Sequence, residues 1–199
     1  MKYLEYLIKM QGIAKIGLTF STDPYALDNY LEIQYLTKKM LEQYTNTALE
    51  NDNYFIKDIY PTPSVSARVM IIENNKILLV REVVDHKYAL PGGWCDLYDS
   101  PQETAIKEVL QESGYDVRIK RVLGIFDHNK HQDKATSICE YSIIFEGEII
   151  GGKPETAYET DEVNFYDLNE LPPFSWKISQ EEYQIALDVL LNNKDTYFE

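Results

Sequence analysis

Residues 100–114 read Ser-Pro-Gln-Glu-Thr-Ala-Ile-Lys-Glu-Val-Leu-Gln-Glu-Ser-Gly, a segment closed at both ends by its own chemistry. Ser100 is a strong N-cap, Pro101 sits at the first helical position where its missing N–H costs nothing, and Glu103 completes a capping box with Ser100. Gly114 supplies the left-handed residue that stops the helix. At about 100° per residue, Ala105, Ile106, Val109 and Leu110 fill one arc. Glu108 and Glu112 fall at its edge, flanked by Lys107 and Gln111. Two carboxylates at i, i+4 share a helical face, where they can gather divalent cations and, through them, a diphosphate.

The chain before this helix changes character once. Leu4, Leu7, Ile8, Gln11, Ala14 and Leu18 mark a helical stripe, weakened by Gly12 and Gly17. Asp23-Pro24 starts a second helix that carries Leu27, Leu31, Tyr35 and Leu41 to about residue 49. The proline-stiffened stretch from Ile59 to Ser64 then reads as a linker, placing a helical domain at 1–61 and a second domain at 62–199.

In the second domain the period becomes that of strands. Val65–Glu73 and Lys76–Val84 predict a hairpin around Asn74-Asn75, followed by a short strand at Tyr88-Ala89-Leu90. Beyond the capped helix, Val117–Phe126 and Thr136–Ile150 read as strands, with a Gly-Gly turn at residues 151 and 152. Glu162–Tyr166 is a further strand and Ser179–Leu191 a closing helix. This order predicts an α+β fold with helices covering a mixed sheet.

A net charge of −14 opposes a basic nucleic-acid track, so DNA is not an expected partner, and it opposes an anionic membrane surface. An anionic substrate would need metal ions and a few local Arg or Lys side chains. Two cysteines, Cys95 and Cys139, make neither a disulfide framework nor a zinc set. Met1–Phe20 is interrupted by Glu5, Lys9, Gln11 and Lys15, so a signal peptide is not expected, and the expectation is a cytoplasmic protein.

The stretch from Gly93 to Tyr115 resembles the Nudix box, G-x5-E-x7-R-E-U-x-E-E-x-G-U, where U is a bulky apolar residue. Glu108, Val109, Glu112 and Gly114 stand as the pattern asks. Asp99 replaces its first Glu, Lys107 its Arg, Gln111 the first member of its Glu pair, and Tyr115 its last apolar residue. Lys107 lacks the planar fork that holds a carboxylate bidentately, and Gln111 adds no charge, which predicts fewer or weaker bound cations. Ala89–Trp94 before the box and Tyr166–Pro172 behind it are also similar to Nudix enzymes. The first sixty or so residues look like the small helical domain of a bacterial subgroup that includes ADP-ribose and CDP-choline pyrophosphatases.

The resemblance implies a Nudix-type α/β/α sandwich that hydrolyses a nucleoside diphosphate linked to another group, using Mg2+ or Mn2+. It implies Glu112 as the main metal ligand, Glu108 as ligand and general base, and the Gly93 carbonyl as a further ligand. A carboxylate from outside the box is expected at Glu159, with Glu162 close behind. Arg68 and Arg81, in strands where arginine needs an anionic partner, are candidate substrate contacts. Asp127 opens a polar run, Asp127–His131, that is a candidate recognition loop. Trp94 and Trp176 are read either as core residues or as stacking partners for a base. The N-terminal helices are expected to form a homodimer, because Tyr3, Tyr6, Met10 and Ile13 lie off the main stripe. Two other functions stay open: a nucleotide-binding domain weakened in catalysis through Gln111, and RNA processing, which the acidic balance disfavours.

Overall fold

The computed structural model describes residues 3–55, 60–96, 98–132 and 139–199. Ile59 of the expected linker and residues 136–138 of the expected strand lie outside them. The chain divides into two compact units, one of residues 1–63 with 133–139, the other of residues 64–132 with 140–199.

The first unit is a helical pair, α1 (Tyr3–Phe20) and α2 (Pro24–Thr45), the latter capped by Asp23 and ended by Asn46 at φ 52°. The second helix therefore stops before the expected residue 49. Leu4, Leu7, Ile8 and Leu41 form its apolar centre, with Leu49, Tyr54 and Phe55 packed against them. Leu31 and Tyr35, expected on the packing stripe, are exposed instead. Gln11 is fully buried with its amide satisfied: Nε2 donates to Gln34 O (2.8 Å) and Thr37 Oγ1 (2.5 Å), and Oε1 accepts from Tyr54 N–H (3.0 Å). Gly17 is no weak point, for a Cβ there would lie 2.3 Å from the Tyr30 ring; glycine lets the two helices meet.

The second unit is built on two sheets. One has the order β5 (Gly92–Trp94), β1 (Ser64–Met70), β7 (Glu140–Gly152), β6 (Tyr115–Asp127) and β9 (Tyr197–Phe198). The other centres on β3 (Lys76–Glu82), with β8 (Thr160–Asp167) along one edge and β2 (Ile72–Glu73) and β4 (Tyr88–Ala89) end to end along the other. β1 pairs parallel with β7 and β6 parallel with β9, while the remaining ladders are antiparallel, so the sheet is mixed as expected.

Strand alternation decides the layers. Val69, Ile71 and Leu78 meet Ala105 and Val109 of α3 (Pro101–Ser113). Met70, Ile77 and Leu79 face the other way, onto Tyr183, Ala186 and Val189 of α4 (Gln180–Leu191). The result is an α/β/α sandwich.

Three expectations are corrected by non-local pairing. The Asn74-Asn75 turn forms, with φ of 50° and 62°, but only β2 and β3 flank it; β1 departs at Ile71 to pair with β5 and β7 in the other sheet. Val83 and Val84 lie beyond β3. Gly151 and Gly152 are not a turn but the end of β7, opposite Asp116 and Tyr115. Neither β5 nor β9 was visible in the strand pattern, since each borrows its partners from distant sequence.

Candidate active site

The predicted caps of α3 are all present: Ser100 and Glu103 form the capping box, and Gly114 takes φ 74°. They set the helix phase, and packing on β1 and β5 turns Glu112 inward, where it is only 4% exposed. Its Oε2 accepts the Gly92 N–H at 2.8 Å. Gly92 has φ 146°, and a Cβ there would lie 2.2 Å from the Ala67 carbonyl oxygen, so only glycine lets β5 run this close to β1. A Cβ on Gly93 would fall 2.9 Å from Glu108 Oε2, which places that carboxylate against the bare glycine backbone.

These groups open on a cleft of about 270 Å³. Glu108, Glu112, Glu140 and Glu159 give it four carboxylates, and Arg68, Lys177 and His128 are its basic side chains. Gly92, Gly93, Trp94 and Trp176 complete the lining. Burial, opposed by the Gly92 hydrogen bond and by Arg68, pushes the Glu112 carboxyl up to about 7, and nearby Glu82 adds to the rise. Burial also raises Glu108, against the pull of Lys107.

The basic groups are already engaged. Arg68 is buried, with Nη1 donating to the carbonyls of Leu90 (3.1 Å) and Gly92 (2.9 Å), so it braces the loop behind the cleft. Lys177 Nζ lies 2.5 Å from Glu82 Oε2 and 3.9 Å from Glu159 Oε2. His128 Nδ1 bonds both oxygens of buried Glu182, at 2.8 and 3.0 Å.

Of the residues predicted for the site, Gly93, Glu108, Glu112, Glu159 and Arg68 come together here, and two do not. Arg81 points to Asp161 (2.6 Å) and Glu162 (3.1 Å), outside the cleft lining. Asp127 lies next to Lys130 and Glu199, and its neighbour His128 is the residue of that run which reaches the cleft. Glu162 is taken by Arg81 and the hydroxyls of Tyr88 and Tyr166. Gln111 is exposed and off the lining, so its neutral side chain subtracts no charge from the cleft. Lys107 serves the loop before α3, pairing with Asp96 (2.5 Å) and Asp99 (3.7 Å).

Sequence reasoning named His128 only within the run Asp127–His131, and it missed Glu140, Lys177 and the buried Glu82 beside them. Glu82 had a signal: it shares strand parity with Val80 and Leu78, which puts a charge on a buried face.

Mg2+ or Mn2+ suits this donor set, which is all oxygen and hard. Among the described residues no three His, Cys, Asp or Glu side chains close on a common point.

A capped helix delivering two glutamates to a glycine-lined strand, inside an α/β/α sandwich, defines a Nudix hydrolase. The chain belongs to that family: residues 62–186 match the NUDIX domain, and residues 1–51 match the UDP-X-like, N-terminal oligomerisation domain. A Bacillus subtilis (strain 168) protein provisionally named ADP-ribose pyrophosphatase YjhB is 36% identical over 88% of this chain and 86% of its own length. The crystal structure of a UDP-X diphosphatase superposes with a TM-score of 0.67 at 28% identity, covering 99% of this chain and 98% of that one. An ADP-ribose pyrophosphatase from Streptococcus suis 89-1591 gives a TM-score of 0.62 at 32% identity, over 69% of this chain and all (100%) of its own.

Proposed function

We propose that this protein uses Mg2+ or Mn2+ and water to cut the diphosphate bridge of a nucleoside diphosphate joined to a second group. Substrates of the ADP-ribose or UDP-linked type, which the relatives' names point to, would give a nucleoside monophosphate and a phosphorylated remainder; CDP-choline belongs in the same test panel. The observation that carries this reading is the charge of the cleft. Four glutamates line it against Arg68, whose guanidinium meets neutral carbonyls, and Lys177 and His128, which are held by Glu82 and Glu182, so added cations would favour the entry of a diphosphate.

When bound, the metal would neutralise diphosphate oxygens and lower the pKa of an attacking water. Glu112 and Glu108, with the Gly93 carbonyl, would hold it, and Glu159 lines the same cleft as the candidate further ligand. Glu108, half-buried and raised in pKa, can take the proton from that water, and Gly92 fixes Glu112 by its N–H. Gln111 lies off the lining, which removes the main reason for reading the domain as catalytically weakened.

Attack on phosphorus has a distinct isotopic outcome. Hydrolysis of ADP-ribose in 18O-labelled water with Mg2+ is expected to place one heavy oxygen on a phosphate product. Label on a sugar carbon, or free nucleobase, would rule the mechanism out.

A homodimer through the helical unit belongs to the same reading. Tyr3, Tyr6 and Ile13 are each about half exposed on α1, an apolar surface that a monomer rarely leaves open. Light scattering at micromolar concentration should give twice the chain mass for the full protein, and one chain mass after the combined change Tyr6→Glu and Ile13→Glu. A monomeric wild type contradicts the proposal.

A further inference from the structure

The chain has two tryptophans, and both line the cleft with their indoles exposed, Trp94 by 50% and Trp176 by 57%. Among the described residues neither belongs to an apolar core or packs against another ring. Large indoles are ordinarily buried, so two left bare at one cleft present π-faces without a partner.

The backbone carrying Trp176 is nevertheless tightly held. Ser175, 1% exposed, donates its N–H to Tyr88 O (2.7 Å) and its hydroxyl to Asp85 Oδ2 (2.9 Å). On the other side Lys177 is tied to Glu82 and Ile178 is buried in the core. The Trp176 carbonyl accepts from Gln132 Nε2 at 3.1 Å, and the same amide nitrogen lies 2.7 Å from His128 Nε2. With the His128 Nδ1–H donating to Glu182, Nε2 accepts from Gln132, and both amide protons are used. Glu182, fully buried, is fixed in turn by the capping box of α4. A chain of hydrogen bonds thus runs from the core to the carbonyl beneath an exposed indole. The backbone that carries the indole is thereby fixed before a ligand arrives, which leaves only the side chain itself to be ordered on binding.

We infer that Trp94 and Trp176 form an aromatic clamp for the nucleotide base, with Glu182, His128 and Gln132 as positioning residues for the Trp176 side. The inference rests on the proposed diphosphate substrate, because the acidic floor needs a cation-bridged diphosphate while the clamp takes the neutral planar part. Stacking accepts any base, since every base has a π-face.

The full-length protein tests this directly, since all indole emission comes from the two clamp residues. AMP and UMP, titrated with Mg2+, should quench the emission saturably, and ribose 5-phosphate should not. Trp94→Leu and Trp176→Leu are each expected to weaken AMP binding about tenfold, measured by calorimetry, with ribose 5-phosphate binding unchanged. Trp176→Phe should restore most of the loss, as it keeps a π-face that leucine lacks. Gln132→Leu should weaken AMP binding about threefold and again spare ribose 5-phosphate, a split that general loosening of the fold would not produce. Absence of an emission change with either nucleotide, or equal losses for AMP and ribose 5-phosphate, overturns the clamp. Metal-dependent hydrolysis of ADP-ribose and UDP-glucose, assayed separately, keeps the two readings apart. Turnover without an emission change removes the clamp alone, and an emission change without turnover removes the reaction alone.

Discussion

Glu112→Gln is expected to lower turnover about 10²–10⁴-fold while leaving the melting temperature unchanged or higher. The two halves of this result come from the same burial. Glu112 is 4% exposed and accepts the Gly92 N–H, an interaction that the glutamine carbonyl can keep. What glutamine removes is the negative charge, which the cleft needs for a cation and which the apolar surroundings of α3 disfavour. The sign with pH follows. A carboxyl raised from 4.5 to about 7 in the folded state favours folding most when protonated, below about pH 4.5, and that advantage is lost as pH rises through about 7. In EDTA the variant should therefore match wild type near pH 4.5 and melt higher at pH 8. Calorimetric Mg2+ titration and turnover complete the measurement. Wild-type turnover in the variant would remove Glu112 from the metal site, and a large fall in melting temperature would make its role structural.

Which parts of this molecule were legible in the sequence depended on how far each residue's partner lies along the chain. The caps of α3 and the Asn74-Asn75 turn are satisfied within a few residues, so their side chains announce them. β5 and β9 have two or three residues each and exist through partners such as Ser66 and Gly124. The Gly151-Gly152 pair looks like a turn until Tyr115 and Asp116 are placed opposite it. The site divides the same way. Glu108, Glu112 and Gly93 are joined by one helix and the loop before it. Lys177 comes to the cleft through Glu82, ninety-five positions away, and no local pattern could reveal that pairing. Arg81 misled because an arginine in a strand asks for an anion without saying which, and Asp161 and Glu162 from β8 supplied it.

The same pairing yields the largest expected loss of stability. Lys177→Met should destabilise the protein by about 3–5 kcal/mol, the usual cost of leaving one partner of a buried ion pair uncompensated. Glu82 is 1% exposed and lies 2.5 Å from Lys177 Nζ through Oε2, while Oε1 has no hydrogen-bond partner among the described residues. Without the ammonium, the Glu82 carboxyl is left in the interior with neither water nor a neighbouring donor to satisfy it. It also sits close enough to Glu112 to push that carboxyl upward, an effect that Lys177 opposes, so removing the ammonium should raise the Glu112 carboxyl further. Glu82→Gln should cost less than Lys177→Met, because it removes the charge and leaves the lysine to be reached by solvent and Glu159. Combining both changes should recover most of the stability lost by Lys177→Met alone, since a buried pair replaced as a whole can be close to neutral. Urea unfolding of the four proteins at pH 8 measures the cycle. A cost below about 1 kcal/mol for Lys177→Met would show that Glu82 finds another source of compensation, the level of an ordinary surface pair. A double variant as unstable as the sum of its parts would show that the lysine stabilises the loop by packing and not through its charge.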